Sequence, residues 1–321
     1  MSLMSLMSLM SLMSLTSMMR SRAALWLALF VSLATWAACS GGPRPVVVGS
    51  KNFTEQVILG EIVAQLLEAH DVPVDRRLNL GGSFICHQAL VSGDLDVYVE
   101  YTGTALTAIL REPFDYDAQK VYERVRDVYR DDLSLEWSAP LGFNNTFAII
   151  MTRARAAELG ATKISDLAEH QTTIRLGAGH EFLEREDGLR GLTEAYELEF
   201  SIAPRGMELG LIYQALVEGQ VDFVAGNSTD GLIEKFNLVV LEDDRRFFPP
   251  YDAAAVYRPD AVERYPALAD VLEILGGGLD EPSMRRLNRL VDEERRAVRD
   301  VVSDFLKEQG WSPVPAREDL D

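Results

Sequence analysis

The sequence predicts an α/β protein built as two similar lobes that face each other across a ligand cleft. Three observations carry this reading. Short apolar or β-branched runs alternate with helix-period segments along the chain, the pattern of strand–helix units. The stretch QALVSGDLDVYVEYTGT, Gln88 to Thr104, returns as QALVEGQVDFVAGNSTD, Gln214 to Asp230. Two further segments, Ala139 to Met151 and Arg245 to Arg258, read as crossings between the lobes. The first runs from Pro140 and Gly142 through Asn144, Asn145 and Thr146 into an apolar strand. The second carries Pro249 and Pro250, which set an extended chain before Tyr251. The expected boundaries are 45–142 plus 250–321 for lobe one and 143–249 for lobe two.

Residues 1–38 stand apart from any packed fold. A low-complexity MSL repeat precedes Arg20 and Arg22, and a 16-residue apolar run, Ala23 to Ala38, follows. That run is shorter than the roughly 20 residues a membrane-spanning helix needs. It ends at Ala37, Ala38 and Cys39, small residues before a cysteine, which is the pattern of a bacterial lipoprotein signal, although Trp36 stands where a leucine is usual. The chain is therefore expected to be lipidated at Cys39, with 39–44 as a linker, and to sit membrane-tethered at the cell envelope on the extracytoplasmic side.

After this leader, Pro45 to Ser50 (PVVVGS) reads as a buried strand. Ile58, Ile62 and Leu66, spaced by four, predict a helix, with Asn52 and Glu55 placed as a capping box. A further helix runs through Leu90 into the strand LDVYVEY. In each copy of the repeat a helix end meets a glycine turn, Gly93 or Gly219. A strand with an inward aspartate follows, Asp96 or Asp222, and then a polar loop past the strand's carboxyl end. In open α/β sheets that rim is where ligands bind, so Tyr101 and Asn227 should occupy corresponding places on opposing lips. Near the C-terminus, EPSMRRLNRLVDEERRAVRDVVSDFLKEQG reads as long amphipathic helix.

The composition excludes several classes of function. Formal net charge is −19 at pH 7, and removing the leader takes two arginines and no acid, leaving −21. So acidic a surface does not suit nucleic acid. With Cys39 lipidated, only Cys86 remains, inside an apolar segment where it reads as core. His70, His87, His170 and His180 are scattered, with no metal-ligand spacing, no nucleophile elbow and no phosphate-cradling loop. No metal and no cofactor are expected, and the residues point towards binding rather than turnover.

The motifs GSKNFTEQVILGEI, LNLGGS, DVYVEYTGTAL, GFNNTFA, HEFLEREDGLRGL, STDGLI and FFPPYDAA, in this order, together resemble the substrate-binding proteins of osmoprotectant ABC transporters. That resemblance implies a type II periplasmic-binding-protein fold closing on a quaternary ammonium solute such as glycine betaine, choline or carnitine. It also implies partner permease and ATPase subunits. A quaternary nitrogen has no N–H to donate, and electron-rich aromatic faces recognise it instead, at about 0.5 to 2 kcal/mol per contact. By the resemblance, Tyr101, Tyr251 and Phe147 supply such faces, Phe147 standing where the family has a hydroxylated ring. Arg185 would meet a ligand carboxylate through its bidentate fork. Lys51, Gln56, Thr104 and Asn145 would line the same cleft.

Many relatives write a tyrosine where this chain has Asn227. One aromatic wall is then missing, which leaves two readings open: a weaker betaine binder, or a site for a different betaine-like or small polar ligand, such as ergothioneine, whose polar ring meets the Asn227 amide. A ligand-sensing ectodomain on the same fold is a further alternative.

Overall fold

Val46 to Lys51 forms β1, and every residue in it is buried. The run Val46-Val47-Val48 has no polar face because both sides of this strand are covered. Val46 and Val48 pack with the helix α1 (Thr54–Ala69), and Val47 packs on the opposite face with Cys86 and Leu90. Such two-sided burial is what parallel strands in α/β sheets require. The structure, a computed structural model, describes residues 43–311. The expected signal segment and Cys39 lie outside the described residues.

The chain continues as β2 (Val74–Gly81), α2 (Ser83–Ser92) and β3 (Val97–Tyr101), then α3 (Ala118–Leu133) and β4 (Glu136–Trp137). Next come β5 (Phe147–Thr152), β6 (Leu176–Ala178), α4 (His180–Glu184) and β7 (Arg205–Gly206). The rest includes α5 (Leu209–Val217), β8 (Phe223–Asn227), β9 (Leu238–Val240), β10 (Ala253–Tyr257), α6 (Ala267–Leu275), α7 (Glu281–Asp292) and α8 (Val298–Gln309), among shorter helices.

The strands make two five-stranded sheets of matching design, β2-β1-β3-β10-β4 and β7-β6-β8-β5-β9. In each, three parallel strands are followed by a fourth that runs antiparallel to them and a fifth antiparallel to the fourth. The α/β class and the periplasmic-binding-protein architecture expected from the sequence are both present.

The repeat also has a common physical basis. Gly93 and Gly219 both hold left-handed backbone, φ 83° and 69°, at the turn that feeds the strand. Asp96 accepts the backbone N–H of Val47 at 2.9 Å, and Asp222 accepts that of Arg175 at 2.8 Å. Each carboxylate thus fastens its own strand to its parallel neighbour and pairs with arginine, Arg264 for Asp96, and Arg155 and Arg175 for Asp222. Tyr101 and Asn227 end β3 and β8, each opposite an antiparallel partner, Ala253 and Phe147.

The two crossing segments run side by side. Asn144 and Asp252 form an antiparallel bridge, flanked by the bonds Ala253 N–H to Phe143 O (3.1 Å) and Asn145 N–H to Tyr251 O (3.1 Å).

Three expectations are corrected. The capping box does not form: Phe53 is the N-cap of α1, without a side-chain cap, and the Glu55 carboxylate turns inward to buried donors. The long C-terminal helix is two helices, broken at 293–297, where Arg295 takes φ 57°. The break lets both α7 and α8 lay apolar faces (Met284 and Leu287; Val301, Val302 and Phe305) into the core around α1. Gln56 is buried completely and is not among the cavity-lining residues described below.

Candidate functional site

The ends of β1, β3 and β8 and the two crossings meet around a cavity of about 200 Å³ between the sheets. Lys51, Tyr101, Thr104, Asn145, Phe147, Arg185, Asn227 and Tyr251 all line it. Eight of the nine positions singled out from the sequence therefore converge, and Gln56 lies behind the wall. The sequence reading missed Phe53, which contributes a fourth ring, as well as His180, Glu181 and Met207. Phe53 carries a weak signal: an aromatic held between Lys51 and the first turn of α1, where the chain turns towards the cavity.

The four rings form two pairs. Phe53 stacks on Tyr101 with centroids 6.4 Å apart, and Phe147 meets Tyr251 edge-on at 5.9 Å. Both tyrosine hydroxyls donate into buried carboxylates, Tyr101 to Glu55 at 2.7 Å and Tyr251 to Asp187 at 2.6 Å. These bonds fix how each ring is presented. Burial pushes both phenols well above their ordinary range, so they stay neutral.

The two basic side chains in the wall are already paired. Lys51 bonds Glu100, with its ammonium 4.8 Å from the centroid of Tyr101. Arg185 is buried and turns one edge of its fork onto Asp187, with Nε at 2.8 Å from Oδ1 and Nη2 bonded to Oδ2. Nη2 also donates to Thr104 Oγ1 at 3.2 Å, and the guanidinium carbon lies 5.1 Å from the Phe147 centroid. Arg185 holds the Asp187 carboxyl below its usual range against the opposing effect of burial. Only Nη1 is left towards Glu181, at 3.5 Å, so a ligand carboxylate would meet one edge of this guanidinium rather than its full fork.

Asn227 lies opposite Phe147, and its side-chain amide has no hydrogen-bond partner among the described residues. With Asn52, Phe53 and Leu209 it also lines a neighbouring cavity of about 520 Å³. Cys86 stays out of this chemistry: it is fully buried, and burial pushes its thiol up to about 12. Among the described residues no group of three His, Cys, Asp or Glu side chains could hold a metal ion.

Residues 44–308 match the substrate binding domain of ABC-type glycine betaine transport system. The chain belongs to this family. Family members are substrate-binding components of ABC importers, which work outside the cytoplasm with a membrane permease. Among similar proteins, a glycine-betaine-binding protein of Pseudomonas aeruginosa is 38% identical over 81% of this chain and 86% of its own length. An ergothioneine transport permease/ergothioneine binding protein of Helicobacter pylori is 35% identical over 89% of this chain, which spans about half (52%) of that longer protein. A crystal structure described as a glycine betaine/carnitine/choline ABC transporter superposes with a TM-score of 0.68, at 32% identity, covering 83% of this chain and 99% of that one.

Proposed function

We propose that this family member captures a small solute carrying a quaternary ammonium group (glycine betaine, choline, carnitine or a close analogue) and delivers it to its ABC permease without chemical turnover. The observation that carries the reading is the convergence of Phe53, Tyr101, Phe147 and Tyr251 on one cavity, with both phenol hydroxyls turned away into carboxylates. Ring faces are thereby left as the main recognition surface, which suits a nitrogen that cannot hydrogen-bond. A cavity of about 200 Å³ is small beside drug-sized sites of about 300–1,000 Å³ and suits a compact solute.

In this proposal the lobes, 45–142 plus 250–321 and 143–249, hinge at the paired crossing segments and close when ligand contacts from both sides form together. Lipidation of Cys39 would tether the protein near its permease.

Thermal denaturation against glycine betaine, choline, carnitine, proline betaine and ergothioneine tests the reading. A ligand at 1,000 times its dissociation constant adds about 4 kcal/mol of stability. Absence of stabilisation by every methylated ammonium compound, with amino acids and sugars as controls, overturns it. A second reading, a betaine with a polar ring such as ergothioneine, is supported by the unpartnered Asn227 amide in the cavity wall. In the same panel, stabilisation by ergothioneine well beyond that by glycine betaine selects it.

A further inference from the structure

Behind the wall of the cavity, Glu55 gathers donors from four distant parts of the chain. Its Oε1 accepts from the Tyr101 hydroxyl at 2.7 Å and the Asn145 amide at 2.8 Å. Its Oε2 accepts from the Thr229 hydroxyl at 2.5 Å and the Asn288 amide at 3.1 Å. The side chain is 2% exposed. All four donors are neutral, and no lysine or arginine contacts this carboxylate among the described residues. The other buried charges near the cavity differ: Lys51 is balanced by Glu100 and Arg185 by Asp187.

An isolated buried carboxylate is costly unless something positive comes close. Burial accordingly pushes the Glu55 carboxyl above its ordinary range, against the pull of its four hydrogen bonds. A phenol that donates to a carboxylate gains electron density in its ring, and the carboxylate adds its own field across a low-dielectric interior. Both effects make the cavity-facing side of Tyr101 a stronger seat for a cation.

We propose that Glu55 is the counter-charge of the ligand's quaternary nitrogen, a positioning residue that acts through the Tyr101 hydroxyl without touching the ligand. The inference rests on the quaternary-ammonium reading above. It also gives the site a source of cation affinity that does not need a ring at position 227.

The test compares ligands that differ only in charge. Choline is paired with 3,3-dimethylbutan-1-ol, and glycine betaine with 3,3-dimethylbutanoate, each isostere replacing the nitrogen by carbon. Their affinities are measured by calorimetry on the purified wild-type protein and on Glu55→Gln, whose amide keeps the shape and can still bond both hydroxyls. Wild type should prefer the ammonium member of a pair, and Glu55→Gln should lower affinity for that member about tenfold while changing the isostere's by less than about twofold. The preference ratio then collapses. Equal losses for both members, or an unchanged ratio, overturn the proposal, because a merely structural role lowers both alike. If Glu55→Gln does not fold, Tyr101→Phe cuts only the hydroxyl link and decides: a ratio that falls severalfold supports the proposal, and an unchanged one overturns it. A wild-type protein that binds no methylated ammonium compound is the separate failure of the functional reading, and this inference falls with it.

Discussion

Glu181, in the first turn of α4, reaches across the cleft to Ser83, accepting its backbone N–H and, at 3.1 Å, its hydroxyl. The contact joins the second-sheet side of the cavity to the N-terminus of α2, where a carboxylate is favoured by the helix dipole. In the proposed hinge motion it would clasp the closed form, and the fit leaves no room for more: a Cβ on Gly82 would sit 2.0 Å from Glu181 Oε1.

Glu181→Ala and Gly82→Ala should therefore both weaken the closed state, the first by removing the clasp and the second by displacing it. A charge-assisted bond is worth about 1.5–3 kcal/mol, so ligand affinity should fall about tenfold or more in each. Small-angle scattering of the ligand-free protein should show a larger radius of gyration than wild type. Unchanged affinity and dimensions in both variants would remove Glu181 from closure.

Arg185 should affect betaine and choline differently. Glycine betaine carries a carboxylate that the Nη1 edge, held by Glu181 only at 3.5 Å, can meet, whereas choline carries none. Arg185→Ala should lower betaine affinity far more than choline affinity. The variant also strands Asp187 as a buried unpaired charge, a loss of about 3–5 kcal/mol in stability. Arg185→Lys should recover little, since the bidentate contact with Asp187 needs the planar fork. Equal losses for the two ligands would take Arg185 out of carboxylate recognition.

Asn227→Tyr tests the missing wall. A ring opposite Phe147 should raise affinity for glycine betaine and choline by about fivefold. It should also abolish any binding of ergothioneine that depends on the amide. Titration calorimetry with the three ligands reads both effects, and a drop in betaine affinity would show that the wall is not where the repeat puts it.

Asp230 gives a pH signature. Burial raises its carboxyl from 3.8 to about 6 despite bonds from the Tyr213 hydroxyl and the Asn227 N–H. Between these values the folded state holds more protons than the unfolded state, so this group's contribution to stability is full below about pH 4 and lost as pH rises through about 6. Asp230→Asn removes that dependence. Urea midpoints of both proteins at about pH 7 and about pH 4.5 should show wild type gaining on the variant at the lower pH. Parallel shifts in the two proteins would contradict it.

The repeat made much of this fold legible. Its glycines, its inward aspartates and its strand ends recur as equivalent turns, equivalent carboxylate fasteners and opposing rims, because those features are fixed by local backbone needs that a sequence displays directly. Glu55 was not legible. Its spacing from Asn52 fits a capping box, and the four donors that draw it inward lie 46, 90, 174 and 233 residues away. Phe53 and Glu181 were hidden for the same reason: each acts only once two remote segments meet. Arg185 lines the cavity, yet its near neighbour Asp187 takes most of its fork, a competition that residue type alone does not resolve.

The fourth strand of the first sheet, β10, is spelled out at 253–257, after every strand of the second sheet, whose last is β9 at 238–240. During synthesis and export, then, the half that begins later has all its strands first, and the half that begins earlier waits for a latecomer to join β3 to β4. A chain stopped at Arg246 should show slow amide exchange in β5, β6 and β8 but not in β3, and protection in both would mean that the first half assembles without its returning strand.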